Sequence, residues 1–214
     1  MTMSHLDQVL LLSVVLTNFV VLGTTRLSTC IRAVAVQGFL LGVLPVALHP
    51  GAGLSLIGLS IGTVIVKAVI LPWIMLWAIR EASVRREVEP LIGYITSLLL
   101  GAVAVAVGFA MAQRLPLPQH ELSLLVPVAM STVIIGLLVL TTRVKAITQV
   151  VGYLMLENGI YAFGLTLAER VPLLVELGVL LDVFVGVFVM GIVVFHINRE
   201  FDSLSSAHLT ELKD

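Results

Sequence analysis

The chain is built from apolar runs of about twenty residues that follow one another, with polar residues confined mostly to the short segments between them. That length is diagnostic. A helix of roughly 20 residues, rising 1.5 Å per residue, spans a hydrocarbon layer about 30 Å thick. Within such a layer no water satisfies a backbone amide, so only helices and closed barrels cross it. Barrel strands alternate in polarity with period two, and these runs do not. The fold class predicted is therefore all-α, a polytopic membrane protein. Composition agrees: 59% of the 214 residues are hydrophobic and 12% are charged, against about 25% charged in soluble domains.

Seven transmembrane helices are predicted, at about 8–24, 32–49, 53–79, 91–113, 123–140, 146–168 and 171–196. The opening MTMSHLDQ carries no Lys or Arg, and no small-residue cleavage pattern follows the first run. It therefore reads as a span and not as a signal peptide. The fourth run holds no charge and reads as a packing helix. Gly and Pro mark the connections HPGAG, RLPLPQ and ERVP, where helices must stop.

Basic residues set the expected orientation. With the N-terminus outside, the inner loops and tail hold nine: Arg26, Arg32, Arg80, Arg85, Arg86, Arg143, Lys145, Arg199 and Lys213. The outer side holds two, Arg114 and Arg170. The positive-inside rule then places the C-terminus in the cytoplasm. A net charge of -1 without a basic patch gives no reason to expect nucleic acid as a partner. The single cysteine, Cys30, excludes a disulfide within the chain and cannot by itself hold an iron–sulfur cluster, and no cofactor is expected.

Three charges stand near the middle of spans: Lys67 in the third, Glu157 in the sixth and Asp182 in the seventh. An ionised group at the bilayer centre costs about 2.5–3.5 kcal/mol on insertion scales, and such residues usually face a pathway or one another. Two readings follow. In one the charges are a proton or ion relay; in the other they are a static pair, such as Lys67 with Asp182, that holds helices in register. On the sixth span Tyr153, Glu157 and Tyr161 recur every four residues and share a face, so two phenols flank the carboxylate. On the seventh, Gly178, Asp182 and Gly186 form a stripe that admits a close neighbour. Ser60, Thr63 and Lys67 share a face of the third span, and Pro72 beyond them predicts a kink and an unfilled acceptor at Ala68. Glu176 reads either as an outer relay station or as an interfacial carboxylate.

The chain also echoes itself. LGTTRLSTCIRAVAVQG at 22–38 resembles LTTRVKAITQVVG at 140–152, and WAIREAS at 77–83 resembles FHINREFDS at 195–203. The expected organisation is an N-terminal four-helix region, 1–122, whose first three helices are a diverged parallel repeat and whose fourth is a spacer. Residues 123–214 form a three-helix unit with a short cytoplasmic tail.

That second unit resembles the small three-helix subunit of respiratory complex I, the NuoK type, and its antiporter relative MrpC. The resemblance rests on the basic turn TTRVK, on VVGYLMLENG with its intramembrane glutamate, and on LLDVFVGVFVMGIVVFHINRE, where Asp182 stands four residues before Gly186. It departs from the family in two places. The family's first carboxylate sits two residues after the glycine, where this chain has Leu154, and the second is usually glutamate. Over nearly the whole length the chain is similar to the hydrogenase-4 component E family, through RLS after the first span, Lys67 with Pro72, LENG, and LVELGVLLD.

The resemblance implies a subunit without a redox centre in a complex I-like, group 4 nickel–iron hydrogenase or formate-hydrogenlyase-type complex of a bacterial or archaeal cytoplasmic membrane. Its implied partners are antiporter-like and NuoH-like membrane subunits, with peripheral nickel–iron hydrogenase and iron–sulfur subunits. Glu157 and Asp182 would relay protons, with Lys67 as a station or tuning charge and Glu176 at the outer side. A multi-subunit cation/proton antiporter without a redox partner, and a purely structural linker, remain the alternatives.

Overall fold

The computed structural model describes residues 5–49, 51, 53–81, 91–115, 124–166 and 191. These residues are helical almost throughout. In chain order they form α1 (His5–Gly23), α2 (Leu27–Leu48), α3 (Leu54–Val64), α4 (Leu71–Glu81), α5 (Tyr94–Ala112), α6 (Leu125–Thr142) and α7 (Ala146–Leu165). A π-helical segment, Ile65–Ile70, joins α3 directly to α4, so these three pieces make one long rod. Five described helices are long and apolar enough to cross a membrane: His5–Gly23, Leu27–Leu48, Leu56–Arg80, Tyr94–Ala112 and Leu125–Thr142. The protein is accordingly a multi-pass membrane protein. At 20 residues α7 matches them in length, but Gln149, Glu157 and Asn158 make it more polar.

The predicted limits fall close to these helices for the first six runs. The largest shift is at α2, which starts at Leu27 and not near 32. Arg32 does not delay the helix because its side chain is exposed and leaves the apolar stem to pack. The seventh predicted span, 171–196, lies outside the described residues apart from Gly191. Glu176, Gly178, Asp182 and Gly186 therefore also lie outside them.

Packing follows the logic of lipid, where apolar side chains gain nothing from avoiding the solvent and close backbone approach decides which helices associate. A Cβ added at Gly136 would strike the backbone of Leu156, and one at Gly152 would lie 2.5 Å from the amide nitrogen of Leu140. Glycine is thus required for α6 and α7 to lie against each other. The same device fixes α2 on the long rod: a Cβ at Gly38 would sit 2.7 Å from Cβ of Lys67, and one at Gly42 2.5 Å from Cγ2 of Val64. Outward faces stay apolar, with Leu12 and Leu16 of α1, Ile61 and Trp73 of the rod, and Leu99 and Val103 of α5 exposed.

The buried apolar residues fall into two clusters. One contains Val21, Leu22, Ile31, Val34, Leu71, Met75, Val139, Val151 and Met155. The other contains Leu11, Val14, Leu41, Leu44, Val128, Ala129 and Ala162. Along α1, α2, α6 and α7 the switch from one cluster to the other occurs at Asn18, Gln37, Thr132 and the Glu157–Asn158 pair, all of them buried. A polar layer therefore divides the apolar core in two.

Candidate functional site: an ion pair in a buried polar layer

Lys67 stands in the π-helical segment. The expected break before Pro72 takes this form: the turns widen, and the Leu71 amide donates to the carbonyl of Val66, five residues back. Proline removes an N–H from the ladder, and the rod accommodates that loss by a local change of helical type without interrupting its course. Such π turns recur at functional sites because an extra residue re-aims the side chains that follow.

The ammonium of Lys67 donates to Oε1 of Glu157 at 2.6 Å, across 90 residues of sequence. The two side chains are only 4% and 2% exposed. The Lys67 nitrogen also lies 5.7 Å from the centre of the Tyr161 ring. Tyr161 thus serves the site through its ring face, one helical turn from Glu157, in a cation–π contact worth on the order of 1 kcal/mol. Tyr153, one turn the other way, is half-buried and packs against the first apolar cluster. Of the residues singled out in the sequence, then, Lys67, Glu157 and Tyr161 come together, and Ser60 and Thr63 share their buried side of the rod.

The residue after Glu157 starts a second arrangement. Asn158 donates from Nδ2 to Oε1 of Gln37 at 3.0 Å. Gln37 Nε2 donates to Oδ1 of Asn18 at 2.8 Å and to Oγ1 of Thr17 at 3.2 Å. Asn18 Nδ2 donates to Oγ1 of Thr132 at 2.9 Å, whose hydroxyl donates to the carbonyl of Val128 at 2.8 Å. The line runs from α7 through α2 and α1 to α6 and ends on a backbone acceptor. Neutral amides do not titrate, so this seam holds position and carries no charge. It fixes the rotation of α7, and with it the direction in which Glu157 points.

A 31% identity over 155 residues relates the chain to hydrogenase-4 component E of Escherichia coli, covering 72% of each protein. The chain belongs to the hydrogenase-4 component E family. Component E of Shigella flexneri matches to the same extent. An uncharacterized protein of Mycobacterium tuberculosis, Rv0085, is 34% identical over 207 residues, which is 94% of this chain and 92% of that protein. No family model and no solved structure matches.

In this component E family member, sequence reasoning missed the amide seam, although a signal was present. Asn18, Gln37 and Asn158 are uncharged polar residues inside membrane-length runs, where each must find a partner or lose several kcal/mol. Arg143 was missed for another reason. It counted only as a loop cation, yet it is 1% exposed. Its Nη2 donates to the carbonyl of Leu22 at the end of α1, 3.2 Å away, and its guanidinium lies 5.7 Å from the Tyr94 ring centre. Burial lowers its pKa, and Coulombic interaction with Cys30 and Tyr94 offsets part of that effect. Position rationalises the charge: Arg143 is the C-cap of α6, where carbonyl dipoles favour a cation. Among the described residues no cluster of three His, Cys, Asp or Glu is placed to hold a metal ion.

Proposed function

We propose that this chain is a seven-span membrane subunit of a group 4 nickel–iron hydrogenase-type complex, and that it conducts protons between neighbouring membrane subunits. The observation that carries the reading is the Lys67–Glu157 pair, buried at 4% and 2% exposure in a polar layer that lies between two apolar clusters along α1, α2, α6 and α7. A carboxylate of this kind is poised between two states. Desolvation favours its neutral form and the adjacent ammonium its charged form, so a movement of one neighbour decides whether it holds a proton. Two apolar clusters on α1, α2, α6 and α7 oppose passage straight across those helices, which favours travel within the plane of the layer.

Family membership and the nine-to-two basic bias support the rest of the assignment: N-terminus outside, C-terminus in the cytoplasm, in a bacterial or archaeal cytoplasmic membrane. Residues 123–214 act as the NuoK-like unit, with Asp182 as the second relay carboxylate and Glu176 toward the outer side. Antiporter-like and NuoH-like subunits flank the chain, and electron transfer belongs to peripheral hydrogenase and iron–sulfur subunits. The test is proton translocation by inverted vesicles carrying the assembled complex. Glu157→Gln and Asp182→Asn are each expected to abolish acidification while leaving hydrogenase activity of the peripheral arm in place. Wild-type coupling in both, with the complex intact by co-purification, would leave the chain a structural linker.

A further inference from the structure

Lys67 has unlike surroundings in its two directions along the rod. Toward α4, the buried Leu71, Met75, Ala78 and Ile79, at 3%, 1%, 1% and 8% exposure, all belong to the first apolar cluster. Toward the start of α3 the buried positions are Ser60 and Thr63, at 5% and 4%. Among the described residues the second apolar cluster draws on α1, α2, α6 and α7 and on none of α3. Among the described residues, apolar side chains thus line the buried edge of the rod on one side of Lys67 and hydroxyls line it on the other.

Among the described elements α3 packs chiefly on α2. Gly38 lies against Lys67 and Gly42 against Val64, so the antiparallel register brings Pro45 level with Ser60. Pro45 is inside α2 and buried, and it has no N–H to return to the carbonyl of Leu41, which stands level with Thr63 and Val64. The Ser60 hydroxyl is itself buried without a protein partner. Polar groups of this kind, in a line and short of partners, are the setting in which ordered water replaces protein contacts. The line ends at His49, exposed at the end of α2, with Nδ1 3.2 Å from the carbonyl of Pro45.

We propose that the α2–α3 interface from His49 past Ser60 and Thr63 is a hydrated access path to Lys67, open to the membrane face that bears His49 and closed toward the opposite face. Its ligand is water and the protons water carries. The path deepens the relay reading above and rests on it only for its purpose, since it would supply the ion pair from one face alone.

Cysteine accessibility tests it in the assembled complex, with Cys30→Ser as background. A membrane-impermeant methanethiosulfonate reagent is applied to sealed spheroplasts and to inverted vesicles carrying His49→Cys, Ser60→Cys, Thr63→Cys or Met75→Cys. The expected result is that Ser60→Cys and Thr63→Cys react from the same face as His49→Cys. Their rates should be on the order of tenfold or more above that of Met75→Cys, because only a thiol reached by water ionises and reacts. If Ser60→Cys does not assemble, Thr63→Cys gives the same reading. Silence at both positions from both faces, reaction only from the face opposite His49, or a Met75→Cys rate equal to theirs overturns the proposal. Labelling reads water and not pumping. Normal pumping by Glu157→Gln would therefore sink the relay and leave the path standing, whereas silent cysteines would remove the path and leave the relay.

Discussion

Replacing Glu157 with glutamine removes half of an ion pair that the fold has already taken out of water. At 2.6 Å, an effective dielectric constant near 20 gives the two charges an attraction of about 6 kcal/mol. Desolvation of two buried ions costs several kcal/mol each, so the intact pair is close to neutral against an apolar replacement. Removing one partner is different, because the other stays buried without the opposite charge it faced, at about 3–5 kcal/mol. Lys67→Met and Glu157→Gln are therefore each expected to weaken the chain by that amount. The double variant should cost far less than the sum of about 6–10 kcal/mol, so most of that sum should appear as coupling energy. The measurement is the SDS fraction at which the chain leaves the detergent-solubilised complex, compared across the four members of the cycle. Additive single effects would refute the pair itself. Restored stability together with restored proton translocation would refute the relay, since a static pair is the arrangement that tolerates joint removal.

Two further outcomes follow from the packing around that pair. Gln37→Leu takes the partner of Asn158 Nδ2 and of Asn18 Oδ1, and each buried group left unpaired costs about 1–3 kcal/mol. The same SDS titration should show a loss of at least one such increment, and an unchanged midpoint would mean the seam does not hold α7. Gly38→Ala puts a methyl 2.7 Å from Cβ of Lys67 and should destabilise the complex by about 1–3 kcal/mol through overpacking. Gly62→Ala, with open space around its Cβ, should be neutral or stabilising by a few tenths to about 1 kcal/mol from helix propensity; equal losses at both sites would count against the close contact of α2 with the π-helical segment of the rod.

What could be read from the sequence was the set of quantities that depend on single residues and on the solvent. Run length against bilayer thickness gave helices, and the limits of the first six runs fell within a few residues of α1, α2, the long rod, α5, α6 and α7. The transfer cost of an ionised side chain marked Lys67 and Glu157 as needing partners, whichever neighbour supplied them. Pro72 announced a disturbance of the rod, and the four-residue spacing put Tyr161 beside Glu157.

Tertiary structure decided which partners met. Helices in lipid have no amphipathic stripe strong enough to reveal their inner face, because both faces are apolar. Rotation and neighbours are therefore set by glycines and amides that act only in pairs. Gly38 has meaning because Lys67 lies against it, and Gln37 because Asn18 and Asn158 lie on either side. The disturbance announced by Pro72 takes the form of a π-helical segment, and Lys67 within it meets Glu157. Arg143 shows the same limit from the other direction, since only the convergence of α1, α5 and α6 at one end of the bundle turns a loop cation into a buried clamp. The sequence by itself determined that these groups need partners, because solvation is a property of each residue. The fold alone determined who the partners are, because contact is a property of two.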